Sequence, residues 1–409
     1  MVEISYSAIG QAAEQADGRR RSKAAAALGA GAALAPLALV PRSQWRALAE
    51  RAIEPNGYYL PEWELAVDGS ARGRTHAGAL CAWSDSSSNP DRASRLIGLM
   101  PVISLWRAYR IPLPALVSAH PYGTLCVPLL DGDHPQDAVR RLMRQAANAG
   151  AHALILRDVA IDGAAMAAIA EALREDGIRP YVLQSYTRAC LDARRDAAEL
   201  LRDALGSKKL KELRRQRSRL GQHGAVTFEV ARTPEDVTAA IEGFLTLEAS
   251  GWKGRRGTAL AQHAGDASFI RRASVALSET GQCQIVTLRA GTTPVAAAIV
   301  LRHQDRAFFF KIGIDEQFAK FSPGAQLTLD LTRHLCADPA IATADSMANA
   351  DHPMINPIWR GRFEIGDLLI PLRPRDPAVA LIHAALTLRG LLRELARGAV
   401  ELIRKRRAR

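Results

Sequence analysis

Hydrophobic and polar positions along the chain fall into two series of short segments. The first opens with an apolar run at 37–40 and two short helical stretches, one at Ser43-Gln44-Trp45 and one at Pro61-Glu62-Trp63. Apolar segments follow at 77–83, 96–105 and 116–129, the last broken by a His120-Pro121-Tyr122-Gly123 turn. Runs of this length between turn residues predict strands. The pattern then predicts a helix over 135–149, a strand over 153–157, a helix over 163–175 and a strand over 180–186. The second series is more sharply punctuated. A helical stretch (192–220) and a strand (227–232) precede Thr233-Pro234-Glu235-Asp236, a cap, a proline and two acids that open a helix to residue 250. Another helix covers 267–279. Three strands joined by tight turns come next (284–289, 295–302, 307–314), then a helix, a short strand near 341–345, a loop-helix at 352–362 and a strand at 367–371. From residue 378, Leu381, Ala385, Leu388, Leu392, Leu395, Ala399 and Leu402 alternate at spacings of four and three, with Arg389, Arg393 and Arg397 opposite. That is an amphipathic helix.

The stretch from Ala307 to Gln326 carries the most local chemistry. Phe308, Phe309 and Phe310 lead an apolar strand, and Ser322-Pro323-Gly324 is a helix start, with Ser322 as N-cap and Pro323 at the first helical position. A strand running into a helix N-terminus exposes free amides and the positive end of the dipole, which suits an anion. An ordinary strand–loop–helix connection has the same pattern. Lys311 interrupts an apolar strand, so it points to a polar site, pairs with an acid or lies on an exposed face.

Composition narrows the partners. At 409 residues the chain accommodates two domains, and 54 Lys and Arg against 42 Asp and Glu leave +12. A basic excess favours a phosphate-rich cofactor, nucleic acid or an anionic membrane. Seven cations (Lys208, Lys209, Lys211, Arg214, Arg215, Arg217, Arg219) crowd one helical stretch against Glu212 alone. Five scattered cysteines form no CxxC pair and no metal spacing, so no metal is expected and free thiols in a reducing compartment are. No apolar run reaches the length of a membrane span, which gives a cytoplasmic expectation; the basic tail helix either packs on its own protein with a solvated end or lies on the inner membrane face. Residues 1–36 place Arg19, Arg20, Arg21 and Lys23 before an Ala/Gly-rich run, superficially a secretory signal. That composition and Pro36 read better as a basic disordered arm.

Strand, two helices, three antiparallel strands, helix, strand, helix, strand is the element order of a GNAT acyltransferase. Residues 205–371 resemble the CelD/BcsL-type acetyltransferases, a GNAT branch related to the FemAB aminoacyl transferases. The resemblance rests on Ser207-Lys208 through Arg214-Arg215, on Leu247-Glu248-Ala249-Ser250-Gly251-Trp252-Lys253-Gly254 and on Phe310-Lys311-Ile312 with Asp315-Glu316. Ser322-Pro323-Gly324, Asp345, Asp351-His352-Pro353-Met354 and Trp359 complete it. Pro61-Glu62-Trp63, Pro121-Tyr122 and Pro128-Leu129-Leu130 are similar to the degenerate first half of the same tandem proteins. The resemblance implies an α/β (α+β) chain of two tandem GNAT-like domains, each a mixed, mostly antiparallel sheet flanked by helices. The units would be a basic arm (1–36), a degenerate domain (37–190), a catalytic domain (191–373) and a basic helical tail (374–409).

It also implies acetyl-CoA or another acyl-CoA as co-substrate. The amides of Gly324, Ala325 and Gln326, with Ser322 and Lys320, would receive the cofactor, and Ile312, Gly313 and Ile314 its carbonyl. Pro323 supplies no N–H and Gly324 is the only glycine, so this loop departs from the ordinary GNAT pattern. Acyl transfer to an amine needs a proton acceptor, for which Asp345 comes first and Asp351 and His352 second. Asp345 as a strand-end turn carboxylate is the equal alternative. Trp252, Lys253, Arg255, Lys311 and Trp359 would face a small-molecule, sugar or peptide amine acceptor in polysaccharide or cell-envelope metabolism. Two alternatives stay open. One is FemAB-like transfer from aminoacyl-tRNA, with the basic helix on RNA; the other is a non-catalytic membrane- or polysaccharide-associated module. No nucleophile pattern for a covalent acyl-enzyme is present.

Overall fold

The computed structural model describes residues 34–72, 77–85, 94–120 and 122–407, with side chains through residue 396. Most of the basic arm, Pro121 of the first-half motif and the side chains of the arginine-rich C-terminus lie outside them.

The first series begins with β1 (Ala35–Pro36). A single 3-10 turn at Leu37–Leu39 stands where a strand over 37–40 was expected. Pro36 and Pro41 flank it and offer no N–H to a ladder. Then come α1 (Arg42–Glu50), α2 (Pro61–Ser70), β2 (Gly78–Trp83), β3 (Leu96–Ser104), α3 (Leu105–Tyr109), β4 (Ala115–Ser118) and β5 (Leu129–Leu130). α4 (Pro135–Asn148), β6 (Ala153–Ala160), α5 (Ala164–Glu175) and β7 (Tyr181–Asp192) complete it. The second series runs α6 (Ala197–Leu220), β8 (Val226–Ala231), α7 (Pro234–Ser250), α8 (Trp252–Arg255), α9 (Ala264–Ser278), β9 (Cys283–Ala290), β10 (Thr293–His303) and β11 (Arg306–Ile314). It ends with α10 (Pro323–Cys336), β12 (Thr343–Asp345), β13 (Gly361–Pro371) and α11 (Pro377–Arg407). α6 starts later than its periodicity suggests, where Asp196 accepts from the Glu199 N–H, and it kinks at Gly206, whose φ is 68°. Residues 352–360 form turns rather than a helix; Pro353 and Pro357 remove two of the amides that a helix needs.

The strands make one continuous mixed sheet in the order β1-β2-β3-β4-β6-β13-β7-β12-β11-β10-β9-β8, with β5 beside β3. Only β4–β6 and β11–β12 run parallel. The expected α/β architecture with a mostly antiparallel sheet is present. Its centre is an exchange: β13, from the second series, pairs with β6 of the first, and β7 pairs with β12. β7 and β13 pair with each other from Gly361–Cys190 to Leu369–Tyr181. One face carries a single core that includes Trp45, Trp63, Phe244, Phe269 and Phe308 from both series. The other face has two smaller cores. One lies beneath α6 and α10, around Phe309 and Trp359; the other lies beneath α3 and α11, around Ile155 and Ile382.

Buried polar links tie the series together. His303 of β10 accepts from the Asn56 N–H through Nδ1 (2.9 Å) and donates to the Ala49 carbonyl through Nε2 (3.0 Å). Arg188 of β7 pairs with Asp345 of β12 at 2.6 Å, and both are essentially without solvent exposure. Such groups stay buried only because they are partnered.

Candidate active site

β11 and β12 are paired over three residues only, Arg306–Thr343 to Phe308–Asp345. β12 stops there, while β11 continues to Ile314 with β10 on one side and an opening on the other. The ladder with β10 slips at this point. Ile299 faces Lys311 and Val300 faces Phe309, so Phe310 is an extra residue. A bulge re-aims the side chains around it. Phe310 turns into the core, edge-on to Trp63 at 4.9 Å, and Lys311 is left half-buried at the opening.

Glycine brings α7 to the same place. A Cβ on Gly313 would lie 2.9 Å from the Glu248 nitrogen, so only glycine lets the helix sit this close to β11. Glu248 is buried: its Oε2 accepts from the Leu260 N–H at 2.9 Å, and its Oε1 faces Lys253 Nζ at 3.3 Å and Lys311 Nζ at 3.5 Å. Lys253 also donates to the Ile312 carbonyl at 2.9 Å. Burial lowers the Lys253 pKa, and the Lys311 charge lowers it further against the opposing pull of Glu248. Two ammonium groups thus share one carboxylate.

His352 lies near enough to Lys253 to feel its charge. Its Nδ1 faces the amides of Met354 (3.3 Å) and Ile355 (3.4 Å), which assigns the proton of the neutral ring to Nε2. Burial, with a smaller contribution from Lys253, lowers its pKa, so the ring is neutral near pH 7. From the first series Tyr122, in the left-handed region at φ 62°, packs its ring 5.1 Å from Phe269. Burial and a hydrogen bond to Asp266 raise its pKa.

The other expected residues are placed as follows. Asp345 is enclosed at the end of β12: Arg188 holds its Oδ2, and its Oδ1 accepts from the Met347 N–H at 2.9 Å. Both oxygens of this carboxylate are thus engaged, and the group is buried. Asp351 is exposed on the turn before His352. Trp252 is 46% exposed and stacked by Arg256 at 5.0 Å. Glu316 holds both the Trp252 N–H and the Arg255 guanidinium, each at 2.7 Å. Trp359 is fully buried and donates to Thr332 Oγ1 at 2.9 Å, a packing role away from solvent.

At the start of α10, Ser322 stands at the N-cap position but adopts φ 54° and ψ 53°, and its side chain caps no amide. Left-handed backbone replaces the extended geometry that directs a cap hydroxyl at the helix. Pro323, Gly324 and Gln326 are buried, and Gln326 donates to the Leu213 carbonyl. A Cβ on Gly324 would lie 2.8 Å from Met354 Sδ. Lys320 is exposed and lies over the Phe321 ring at 4.9 Å, while Ala325 is half-buried. Of the strand positions, Gly313 is buried and Ile312 and Ile314 are half-buried. The end of the Met354 side chain therefore covers Gly324, and it must swing aside before a phosphate reaches the first amides of α10.

Nothing in the sequence motif itself gives Glu248 a role. The available signal was an acid among Leu245 and Leu247 on a helix that ends at Trp252-Lys253.

Residues 207–352 match the family model described as acetyltransferase (GNAT) domain. That span is similar to a GNAT acetyltransferase domain. The matched span runs from α6 to His352 and contains the opening at β11, Glu248 and both lysines. As a class, the domain implies an acyl-coenzyme A co-substrate. Solved structures share the fold over more than the GNAT domain. FemX matches with a TM-score of 0.53 at 11% identity, over 84% of this chain and 98% of that one. The C-terminal domain of a putative lysylphosphatidylglycerol synthetase from Agrobacterium fabrum matches with a TM-score of 0.50 at 14% identity, over 84% and 96%. A conserved protein of unknown function from Bacteroides thetaiotaomicron matches with a TM-score of 0.50 at 12% identity, over 82% and 98%. At these identities the likeness is one of fold. No curated protein matches the chain.

Proposed function

We propose that the chain is an N-acyltransferase that moves an acyl group from an activated carrier to an amine at the open end of β11. The observation that carries this reading is the pair Lys253 and Lys311, fixed by buried Glu248 where β11 and β12 part. Burial enlarges the neutral fraction of Lys253; in that form its Nζ takes the proton that the attacking amine sheds and passes it to the carrier as the acyl bond to the carrier breaks. Lys311 Nζ and the Nε2–H of His352 face the carbonyl oxygen as it gains negative charge. Glu248 positions both lysines, and Trp252 lies at the acceptor side. The CelD/BcsL resemblance supports a sugar or other envelope amine as acceptor. Exposed Leu381, Leu388, Leu391, Leu392 and Leu395 on α11, next to a basic C-terminus, support contact with an anionic membrane from the cytoplasmic side.

The carrier that the domain implies is a coenzyme A thioester. A second reading, aminoacyl-tRNA, is favoured by the covered Gly324 and by α6, whose Lys208, Lys211, Arg214, Arg215 and Arg219 are exposed beside the start of α10. The test is a panel of amine acceptors assayed with acetyl-CoA and with charged tRNA, for the wild type, Lys253→Met and Lys311→Met. Removing one stabilising donor lowers turnover by about a hundredfold or more. Wild-type turnover in both variants would remove the lysines from the chemistry.

A further inference from the structure

A second site lies on the opposite face of the sheet, where strands β6 and β7 of the first series meet β13 and α11 of the second. Here β13 is irregular on both sides of Asp367. Two residues of β6, Arg157 and Asp158, face this single position, and Leu183 of β7 is extra on the other side. Asp158 takes the left-handed conformation, at φ 47°. Outside glycine such backbone is uncommon, and bulges re-aim side chains. Arg157 and Leu183 both border a cavity of about 260 Å³ between the sheet, α3 and α11.

Three guanidinium groups gather there. Arg389 lies over the Tyr109 ring at 4.0 Å, Arg157 lies 5.9 Å from the same ring, and Arg393 joins them from the next turn of α11. Among the described residues none of the three forms a salt bridge with a carboxylate. Asp367 borders the cavity, but its Oδ1 accepts from the Asp158 N–H and its Oδ2 from Gln184. Glu394 is exposed at the rim. Desolvation, and then repulsion from Arg393 and Arg157, lower the pKa of Arg389. Asp158 and Asp367 act favourably on Arg157, but the Arg389–Arg393 pair on α11 is left mutually repulsive, which an anion between the guanidinium groups relieves.

We propose that this cavity is an anion site that takes a phosphate group between Arg157, Arg389 and Arg393, with Tyr109 as its floor. Guanidinium forks match the oxygens of a phosphate. The same chemistry is offered by a soluble phosphate compound and by a phospholipid headgroup, because Leu391 borders the cavity and is also exposed on α11. The site is independent of the acyl-transfer opening, and its test uses no activity assay.

Calorimetric binding of inorganic phosphate, and co-sedimentation with phosphatidylcholine vesicles with and without phosphatidylserine, are measured on the full chain. The set is wild type, Arg157→Gln, Arg389→Gln and Arg215→Gln, the last a control on exposed α6. Phosphate binding weakened about tenfold or more in the first two variants alone, the loss of a charge-assisted hydrogen bond, supports a soluble ligand. Loss of phosphatidylserine-dependent sedimentation in the same two variants supports a headgroup. Should Arg157→Gln fail to fold, Arg389→Gln on the outer helix decides. Binding of both probes equal in wild type and Arg389→Gln, or no binding of either, overturns the site.

Discussion

Asp345→Asn separates a catalytic carboxylate from a structural one. The Arg188–Asp345 contact is 2.6 Å long and almost fully enclosed. Arg188 Nη1 is bonded to the Thr124 carbonyl and hydroxyl, and Arg188 Nε has no partner. An asparagine keeps the bond from the Met347 N–H but leaves a buried cation without its counter-charge. Breaking one side of such a pair costs about 3–5 kcal/mol, and the retained bonds place this variant near the lower figure. Urea unfolding, followed by far-ultraviolet circular dichroism, should show that loss. Replacing both partners, Arg188→Met with Asp345→Leu, should recover much of it because no charge remains buried. The assay then continues to turnover at a temperature where Asp345→Asn is still folded, where activity within a few-fold of wild type is expected. Wild-type stability combined with lost turnover would refute the reasoning and return Asp345 to the role of base.

His303 sets an acid limit on stability. Burial lowers its pKa from 6.5 to about 4, so the unfolded chain binds the additional proton. Stability is intact above the ordinary histidine pKa and declines by about 3 kcal/mol as the pH falls from about 6.5 to about 4; urea midpoints across that window should flatten in His303→Gln. The lysine pair makes a prediction of opposite sense. Lys253 and Lys311 lie 3.3 and 3.5 Å from one oxygen, so their Nζ atoms are at most 6.8 Å apart. Removing Lys311 relieves about 1–2 kcal/mol of screened repulsion, and the rise of activity with pH should move to higher pH; an unmoved profile would exclude Lys253 as proton acceptor. Met354→Ala uncovers Gly324, and access to free helix amides, worth about 0.3–1 kcal/mol, should lower KM for acetyl-CoA two- to fivefold without changing aminoacyl-tRNA use. An unchanged KM for acetyl-CoA would show that Met354 does not limit the cradle.

The strand–helix series was legible because its punctuation is local. Thr233 caps the Asp236 N–H as its Thr-Pro-Glu-Asp sequence predicts, and β9, β10 and β11 extend the expected strands by at most two residues at either end. Lys311 was legible as a charge in an apolar strand, since burial of an ammonium demands a partner. That partner was not, because Glu248 is 63 residues away and only the bulge at Phe310 and the absence of a Cβ at Gly313 bring the two together. Ser322 shows the reverse error: residue type gave the cap, but the chain turns left-handed there and the hydroxyl misses. Asp345 was read from its place at a strand end, and its use was decided by Arg188, a residue of the other series that no local pattern couples to it.

That coupling explains why the opening at β11 needs both series. A parallel pair that parts leaves unpaired strand edges, which are satisfied only if something else holds them. Here β12 is gripped from its far side by β7, residue for residue from Thr343–Asp192 to Asp345–Cys190, and the Ser346 N–H continues to the Ala189 carbonyl. Arg188, two residues before Cys190 on β7, then neutralises Asp345 and reaches across to Thr124 of the first series. β13 closes the arrangement by pairing with β7 over nearly its whole length while giving its other edge to β6. The strand exchange therefore anchors one wall of the opening, and α7 with Glu248 forms the other. A chain cut between the series would lose β7 and with it the counter-charge of Asp345, so the span 207–352 depends for its open site on residues that precede it.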